Sequence, residues 1–357
     1  MLPDRYEVID DDALSGGYGI VVKVRDKYLD RVVLFKSMQN PENNAQLINE
    51  IKQLSKARSR HIIEIYDVII DADGVLQGII IEYLTGRDYT NYNIIQPQNM
   101  TEFIKILFQI SKALLDLHSV GIIHRDIKLE NFKASDSGLI KVFDFGLSVN
   151  DDNYFTKLNR GTIIYAAPEL YVENATISPA MDIYALGICA WALLKNFRNF
   201  PQTLLQRPPL QQNRAPSINT ASPMPLHPEL ANSIDDCLSL NPQSRPSAAQ
   251  LVDVFSRHLN FARHKGLFVH GERSIYELSN TSKNVNISLA NLGSLKVYYD
   301  GLNFIISEVT GDVYINNNRA AINNILHESC LITFGAPTVG SGRQYMTFSS
   351  SNPEVVL

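Results

Sequence analysis

Phe103, Leu107, Ile110, Leu114 and Leu117 recur at alternating spacings of four and three, and this stripe constrains the fold more than any other feature of the sequence. It predicts one long amphipathic helix, and it marks where the period of the sequence changes. Before it the pattern is strand-like. Residues 19–24 and 31–36 are rich in β-branched side chains and are separated by the polar run Arg25-Asp26-Lys27. A helical stretch at 46–56 follows. Two more strand-like runs, 62–71 and 75–83, flank an Asp73-Gly74 turn. Beyond the stripe, helical patterns continue to about residue 260. The expected fold class is α+β and bilobal. A β-rich lobe (1–83) joins an α-rich lobe (88–259) near residues 83–87 and leaves a cleft between them.

The remaining residues change character. Residues 261–357 carry seven Lys/Arg and seven Asp/Glu, neutral in a chain whose formal net charge is -5. Short strand-like runs at 274–278, 295–299, 302–306, 313–315, 331–334 and 345–348 are spaced by turn residues, with Asp300-Gly301 as a hairpin signal. They predict a separate all-β sandwich over 260–357. The acidic balance gives no electrostatic reason to expect nucleic acid or an anionic membrane as partner. Cys189, Cys237 and Cys330 are too scattered for a metal site and read as free thiols of a reducing compartment. Residues 1–12 are too polar for a signal peptide, and the apolar run 180–194 contains Asp182 and is too short to span a bilayer. A cytoplasmic protein is expected.

Several segments carry groups suited to phosphate chemistry. Ser15-Gly16-Gly17-Tyr18-Gly19-Ile20-Val21 places glycines on a strand-turn-strand, where backbone amides can approach phosphates. By itself such a hairpin is more often a plain turn. Lys36 ends the apolar strand Val32-Val33-Leu34-Phe35 and could pair with phosphate oxygens, with Glu50 on the next helix to orient it; singly, each also reads as a solvated surface charge. The decisive run is His124-Arg125-Asp126-Ile127-Lys128-Leu129-Glu130-Asn131, on a loop after the amphipathic helix. Asp126 can accept a hydroxyl proton, Lys128 can neutralise a moving phosphoryl group, and Asn131 can hold a metal ion. Asp144, closing Lys141-Val142-Phe143-Asp144-Phe145-Gly146, is placed to ligate magnesium.

In this order and spacing, residues 5–259 resemble the protein kinase family. The resemblance implies a protein-kinase fold and transfer of the γ-phosphate of ATP to protein hydroxyls, with Mg2+ or Mn2+. Leu14, Gly16, Gly17, Gly19 and Val21 correspond to the glycine-rich loop, Lys36 and Glu50 to the strand lysine and its helix partner. Ile81 resembles the gatekeeper, with Glu82 and Leu84 as hinge residues facing adenine. Asp126 looks like the catalytic base, and Asn131 and Asp144 like the metal ligands. Gly161-Thr162 and Ala167-Pro168-Glu169 match the end of the activation segment, and Arg245 looks like the structural partner of Glu169. Lys128, two residues after Asp126, together with the Gly-Thr pair, resembles the serine/threonine branch. Residues 148–160 are then the regulatory loop, with Tyr154 and Thr156 as candidate phosphate acceptors and Arg125 as the partner of such a phosphate.

Three positions depart from the family around the nucleotide: Leu14 for the first loop glycine, Leu34 for the small residue above adenine, and Lys133 for the apolar floor. Lys133 could lay its aliphatic stem under the ring, and weaker or unusual nucleotide binding is expected. The C-terminal domain resembles a forkhead-associated domain more faintly, through Ile287-Ser288-Leu289-Ala290-Asn291, Gly311-Asp312-Val313-Tyr314-Ile315-Asn316 and Leu331-Ile332-Thr333-Phe334-Gly335. Ser288 stands in the serine position, Asn291 in place of the histidine and Thr310 in place of the asparagine, and no arginine is matched. Docking of a partner, or of the kinase lobe itself, is expected rather than phosphothreonine reading. Two other functions compete with an active kinase. One is a pseudokinase acting as a scaffold, favoured by the three departures. The other is a small-molecule phosphotransferase, disfavoured by Ala167-Pro168-Glu169 and the long run between Phe145 and Pro168.

Overall fold

The computed structural model describes the chain except residues 1, 17–18, 41–43, 95–99, 151–154, 157–162, 172–174, 209, 212, 272–273, 290 and 352, and gives backbone alone for 10–16, 149–150, 155–156, 163 and 175. It packs as two units, residues 1–255 and 256–356.

The first unit opens with five antiparallel strands, β1 (Tyr6–Gly16), β2 (Gly19–Asp26), β3 (Arg31–Met38), β4 (Ile65–Ile70) and β5 (Leu76–Glu82), in the order β1-β2-β3-β5-β4. Val24, Val33, Ile69 and Ile80 form its buried layer with Tyr6. β1 was hidden in the sequence by the acidic run Asp10-Asp11-Asp12. It is tolerated because β1 is an edge strand and its register with β2 shifts there. Helix α1 (Asn44–Lys56) buries Leu47, Glu50, Gln53 and Leu54 on one face, so two polar residues sit where packing alone would select apolar ones. The expected strand at 62–71 is shorter. Ile62 and Ile63 are buried, but the Ile63 N–H donates to the Val142 carbonyl at 3.0 Å, a loop contact to the second lobe.

The predicted stripe lies on α2 (Met100–Ser119), and its five residues are fully buried. β6 (Ile122–Ile123) follows, then β7 (Phe132–Ala134) and β8 (Ile140–Val142), which pair with each other. β6 pairs with β9 (Val149–Asn150), and β10 (Phe155–Thr156) with β11 (Ala175–Thr176). α3 (Ala180–Leu194) is buried on all sides, and α4 (Gln202–Leu205), α5 (Pro228–Cys237) and α6 (Ala248–Leu259) follow it. Among the described residues no helix is long and apolar enough to cross a membrane.

Arg245 is fully buried and grips Glu169 with two parallel bonds of 2.7 Å while donating to the Ala180 carbonyl at 2.8 Å. Removing one partner strands the other charge away from water. Arg245→Met should lower unfolding stability by about 3–5 kcal/mol, read from urea unfolding of this unit. A change below about 1 kcal/mol would mean that Glu169 finds another partner or water.

The second unit is all β. A six-stranded sheet contains β12 (Gly266–His270), β13 (Ser274–Leu278), β17 (Val313–Ile315), β18 (Asn318–Arg319), β19 (Ser329–Phe334) and β20 (Gln344–Ser350) in the order β13-β12-β20-β19-β17-β18. A three-stranded sheet holds β14 (Asn284–Leu289), β15 (Gly293–Tyr299) and β16 (Phe304–Gly311) in sequence order. Both contribute to one core that includes Phe268, Leu295, Val297, Ile332, Phe334 and Phe348. Leu302 and Asn303, expected in a strand, belong to the hairpin turn, because both amides donate to the Asp300 carboxylate at 2.7 Å. Gly301 has φ +105°, and a Cβ there would meet the Phe261 ring at 2.5 Å, so the hairpin needs glycine.

Candidate active site

β2, β3, β5, α1 and the loops around β7 and β8 enclose a cavity of about 530 Å³. Lys36 ends the apolar part of β3 with its ammonium directed inward. It donates to Glu50 Oε2 at 2.7 Å and Oε1 at 3.0 Å, and to Asp144 Oδ1 at 3.3 Å. Glu50 is 3% exposed, while Asp144 is half-exposed toward the cavity. Burial works against the charge on Lys36, but the neighbouring Glu50 and Asp144 carboxylates outweigh it and hold the ammonium well above its ordinary range. Burial likewise works against the Asp144 carboxylate, and the Lys36 charge outweighs it and holds Asp144 below its ordinary range. The pair stays ionised across neutral pH.

The loop after β6 is held by α3. In the first turn of α3, Asp182 is fully buried, and its carboxylate accepts the His124 and Arg125 amides at 2.9 and 2.8 Å and His118 Nε2 at 2.9 Å. Burial opposes that charge, and the His118 hydrogen bond leads the contacts that nonetheless depress its pKa. Arg125 and Asp144 both have left-handed backbones, φ +68° and +67°. Each costs about 1–3 kcal/mol for a side-chain-bearing residue, and the Asp182 clamp is what fixes the first. Asp126 emerges from this loop buried, with Lys128 Nζ at 2.7 Å from its Oδ2. Asn131 Nδ2 donates to the Asp126 carbonyl at 2.8 Å and to Asp126 Oδ2 at 3.1 Å. That commits the amide nitrogen of Asn131 and turns its oxygen away from Asp126. The Asn131 oxygen and the cavity-facing Asp144 carboxylate are hard donors of the kind Mg2+ or Mn2+ takes.

The geometry thus brings together Lys36, Glu50, Asp126, Lys128, Asn131 and Asp144. Gly19, Val21, Ile81, Glu82 and Leu84 line the same cavity. Leu14 and Gly16 pair with Val21 and Gly19 across the β1–β2 hairpin, and the Leu14 side chain lies outside the described residues. So do Gly17, Gly161, Thr162 and Tyr154, and of Thr156 only the backbone is described. Leu34 and Lys133, the two departures with described side chains, both line the cavity. The Lys133 ammonium lies 6.0 Å from the centre of the Tyr83 ring, and Lys23 lies 5.5 Å from the same ring. Two cations therefore sit close to Tyr83, which itself lines the cavity. Lys133→Leu should lower the KM for ATP about threefold, since an apolar floor no longer loses ammonium hydration when a base covers it. Initial rates against ATP concentration check this, and a raised KM would show that the ammonium itself contributes to binding.

Two contributors escaped the sequence reading. Lys141 on β8 is buried and donates to Glu82 Oε2 at 2.7 Å, behind the cavity. His118 orients Asp182 from the end of α2. The only trace of Lys141 in the sequence is a charge inside the apolar run Ile140-Lys141-Val142.

Residues 14–255 match the family model described as the protein kinase domain. A probable serine/threonine-protein kinase of Clostridium acetobutylicum is 32% identical over 204 residues, covering 54% of this chain and 30% of that protein. NUAK family SNF1-like kinase 1 of Homo sapiens is 31% identical over 201 residues, with shares of 54% and 30%. The carbon catabolite-derepressing protein kinase of Saccharomyces cerevisiae is 32% identical over 233 residues, with shares of 64% and 35%. The chain spans about a third of the length of these relatives. With the family model covering residues 14–255 of 357, this chain belongs to the protein kinase family.

Proposed function

We propose that the chain is an ATP-dependent serine/threonine protein kinase acting on protein hydroxyls, in the cytoplasm. One observation carries this. Lys36, Glu50 and Asp144 meet in a single hydrogen-bonded cluster, on the cavity that Lys128 and Asn131 also line. Lys36 holds phosphate oxygens of ATP, oriented by Glu50. Ile81, Glu82 and Leu84 form the wall against which the purine lies, under Gly19 and Val21. The acceptor hydroxyl bonds to the γ-phosphorus as its proton passes to the Asp126 carboxylate, the bond to the bridging oxygen breaks, and ADP leaves. Lys128, already beside Asp126, offsets charge on the moving group. Asn131 and Asp144 would hold Mg2+ or Mn2+, which draws charge from the phosphate oxygens. Lys128 two residues after Asp126 supports the serine/threonine assignment, as does the similarity to the probable serine/threonine-protein kinase of Clostridium acetobutylicum.

The test is transfer of labelled phosphate from ATP with Mg2+ to the chain itself and to a mixed protein substrate, followed by phosphoamino-acid analysis. Label on phosphoserine or phosphothreonine, lost on adding EDTA, is expected. Label on phosphotyrosine would refute the acceptor class, and metal-independent transfer would refute the roles of Asn131 and Asp144. ATP binding with no transfer would make the chain a scaffold.

Residues 256–356 are proposed as a docking or regulatory domain. Ser288 is exposed, and the Thr310 hydroxyl is 2.7 Å from that of Ser294. Titration of the full chain with a phosphothreonine peptide library tests whether a phosphate is read. Phosphate-dependent binding at micromolar concentration would overturn the docking reading.

A further inference from the structure

Glu50 reaches Lys36 only if α1 holds one rotation about its own axis. A single contact does not fix a rotation, and Asn49 supplies a second one. It precedes Glu50, so its side chain leaves the helix about 100° around the axis. Where Glu50 faces β3, Asn49 faces the segment that follows Asp144. Asn49 Nδ2 donates to the Ser148 carbonyl at 2.7 Å and, more weakly, to the Phe145 carbonyl at 3.4 Å. Its own oxygen accepts Gln53 Nε2 at 3.2 Å, one turn along α1. Gln53 is 3% exposed. Two buried-side amides therefore run in series from the middle of α1 to residues 145–148.

The receiving segment is itself anchored to the Asp126 loop. Ser148 is buried, and its hydroxyl donates to the His124 carbonyl at 3.2 Å. Phe145 is fully buried with its ring 4.8 Å from that of His124. Residues 145–148 thus touch the Asp126 loop on one side and Asn49 on the other. We propose that Asn49 is a positioning residue for phosphoryl transfer: its amide docks α1 on residues 145–148 and so holds Glu50 against Lys36. This rests on the phosphotransfer reading above.

A role exercised through Glu50 makes a specific demand. Once Glu50 can no longer grip Lys36, the loss of Asn49 has little left to disturb, so the two substitutions must be non-additive. Four full-length chains are compared, wild type, Asn49→Ala, Glu50→Gln and the double variant, by initial rates of phosphate transfer. Hydrogen exchange of α1 amides is measured alongside. Asn49→Ala should slow turnover about tenfold in the wild-type background and less than about twofold in the Glu50→Gln background. Exchange at residues 47–54 should quicken while peptides from α3, residues 180–194, are unchanged, which separates an undocked helix from a globally weaker unit. Asn49→Asp, which keeps the shape and loses the donor, should behave as Asn49→Ala does. Equal slowing in both backgrounds would overturn the proposal, as would turnover within twofold of wild type or unchanged α1 exchange. A wild-type chain that transfers no phosphate would sink the kinase reading instead, and the exchange measurement would still decide whether Asn49 docks α1.

Discussion

Asp126→Asn is expected to reduce phosphate transfer by about 10²–10⁴-fold, the range for removing a positioned base, with the fold retained. The substitution is nearly isosteric, and the loop owes its shape to Asp182, which accepts two of its backbone amides, rather than to the Asp126 side chain. What changes is chemistry. Asn131 Nδ2 and Lys128 Nζ both donate to Asp126 Oδ2, and a neutral amide there can take no proton from an acceptor hydroxyl. The ATP-induced rise in melting temperature should be the same for variant and wild type, since Asp126 does not touch the base or Lys36. Turnover near that of the wild type would show that the proton leaves by another route.

Lys36→Met is expected to lower kcat/KM by about 10²–10³-fold, the usual loss when one pre-set charge contact to the reacting group is removed. It has a second cost that separates role from stability. Glu50 would be left buried without its cation, at a cost of about 3–5 kcal/mol. The double variant Lys36→Met with Glu50→Gln removes both charges, so it should recover most of that stability while remaining inactive. Glu50→Gln alone should be milder in rate than Lys36→Met, because the lysine keeps Asp144 at 3.3 Å. Activity that returned with stability in the double variant would reduce Lys36 to a structural residue.

One-sided burial writes a period into a sequence, which is why the α2 stripe is legible there. The ends of the apolar runs were less so. Ile62 and Ile63 read as strand because a buried loop selects the same side chains as a strand does. β12 escaped notice, and in β14 the asparagines of Asn284-Val285-Asn286-Ile287 disguise a clean alternation, because burial of one face overrides strand propensity. In the site, Asp126, Asn131 and Asp144 were legible as a set, through spacing and family resemblance. Lys36 and Glu50 gained meaning only beside them. Asn49 and Lys141 were not legible, since each depends on a partner 99 or 59 residues away that nothing local announces.

The ion pair of Lys141 and Glu82 bears on inhibitor selectivity. The Glu82 carboxylate already accepts the Lys141 ammonium at 2.7 Å and the Glu64 amide at 3.2 Å, so a hinge-binding compound must compete with both for it. A basic substituent aimed at that glutamate therefore gains little. The ammonium groups of Lys133 and Lys23 lie 6.0 and 5.5 Å from the centre of the Tyr83 ring, and Lys133 itself lines the cavity. A hinge-binding scaffold extended by a carboxylate or tetrazole would find counter-charges there, and would be repelled by a homologue with acidic residues at those two positions.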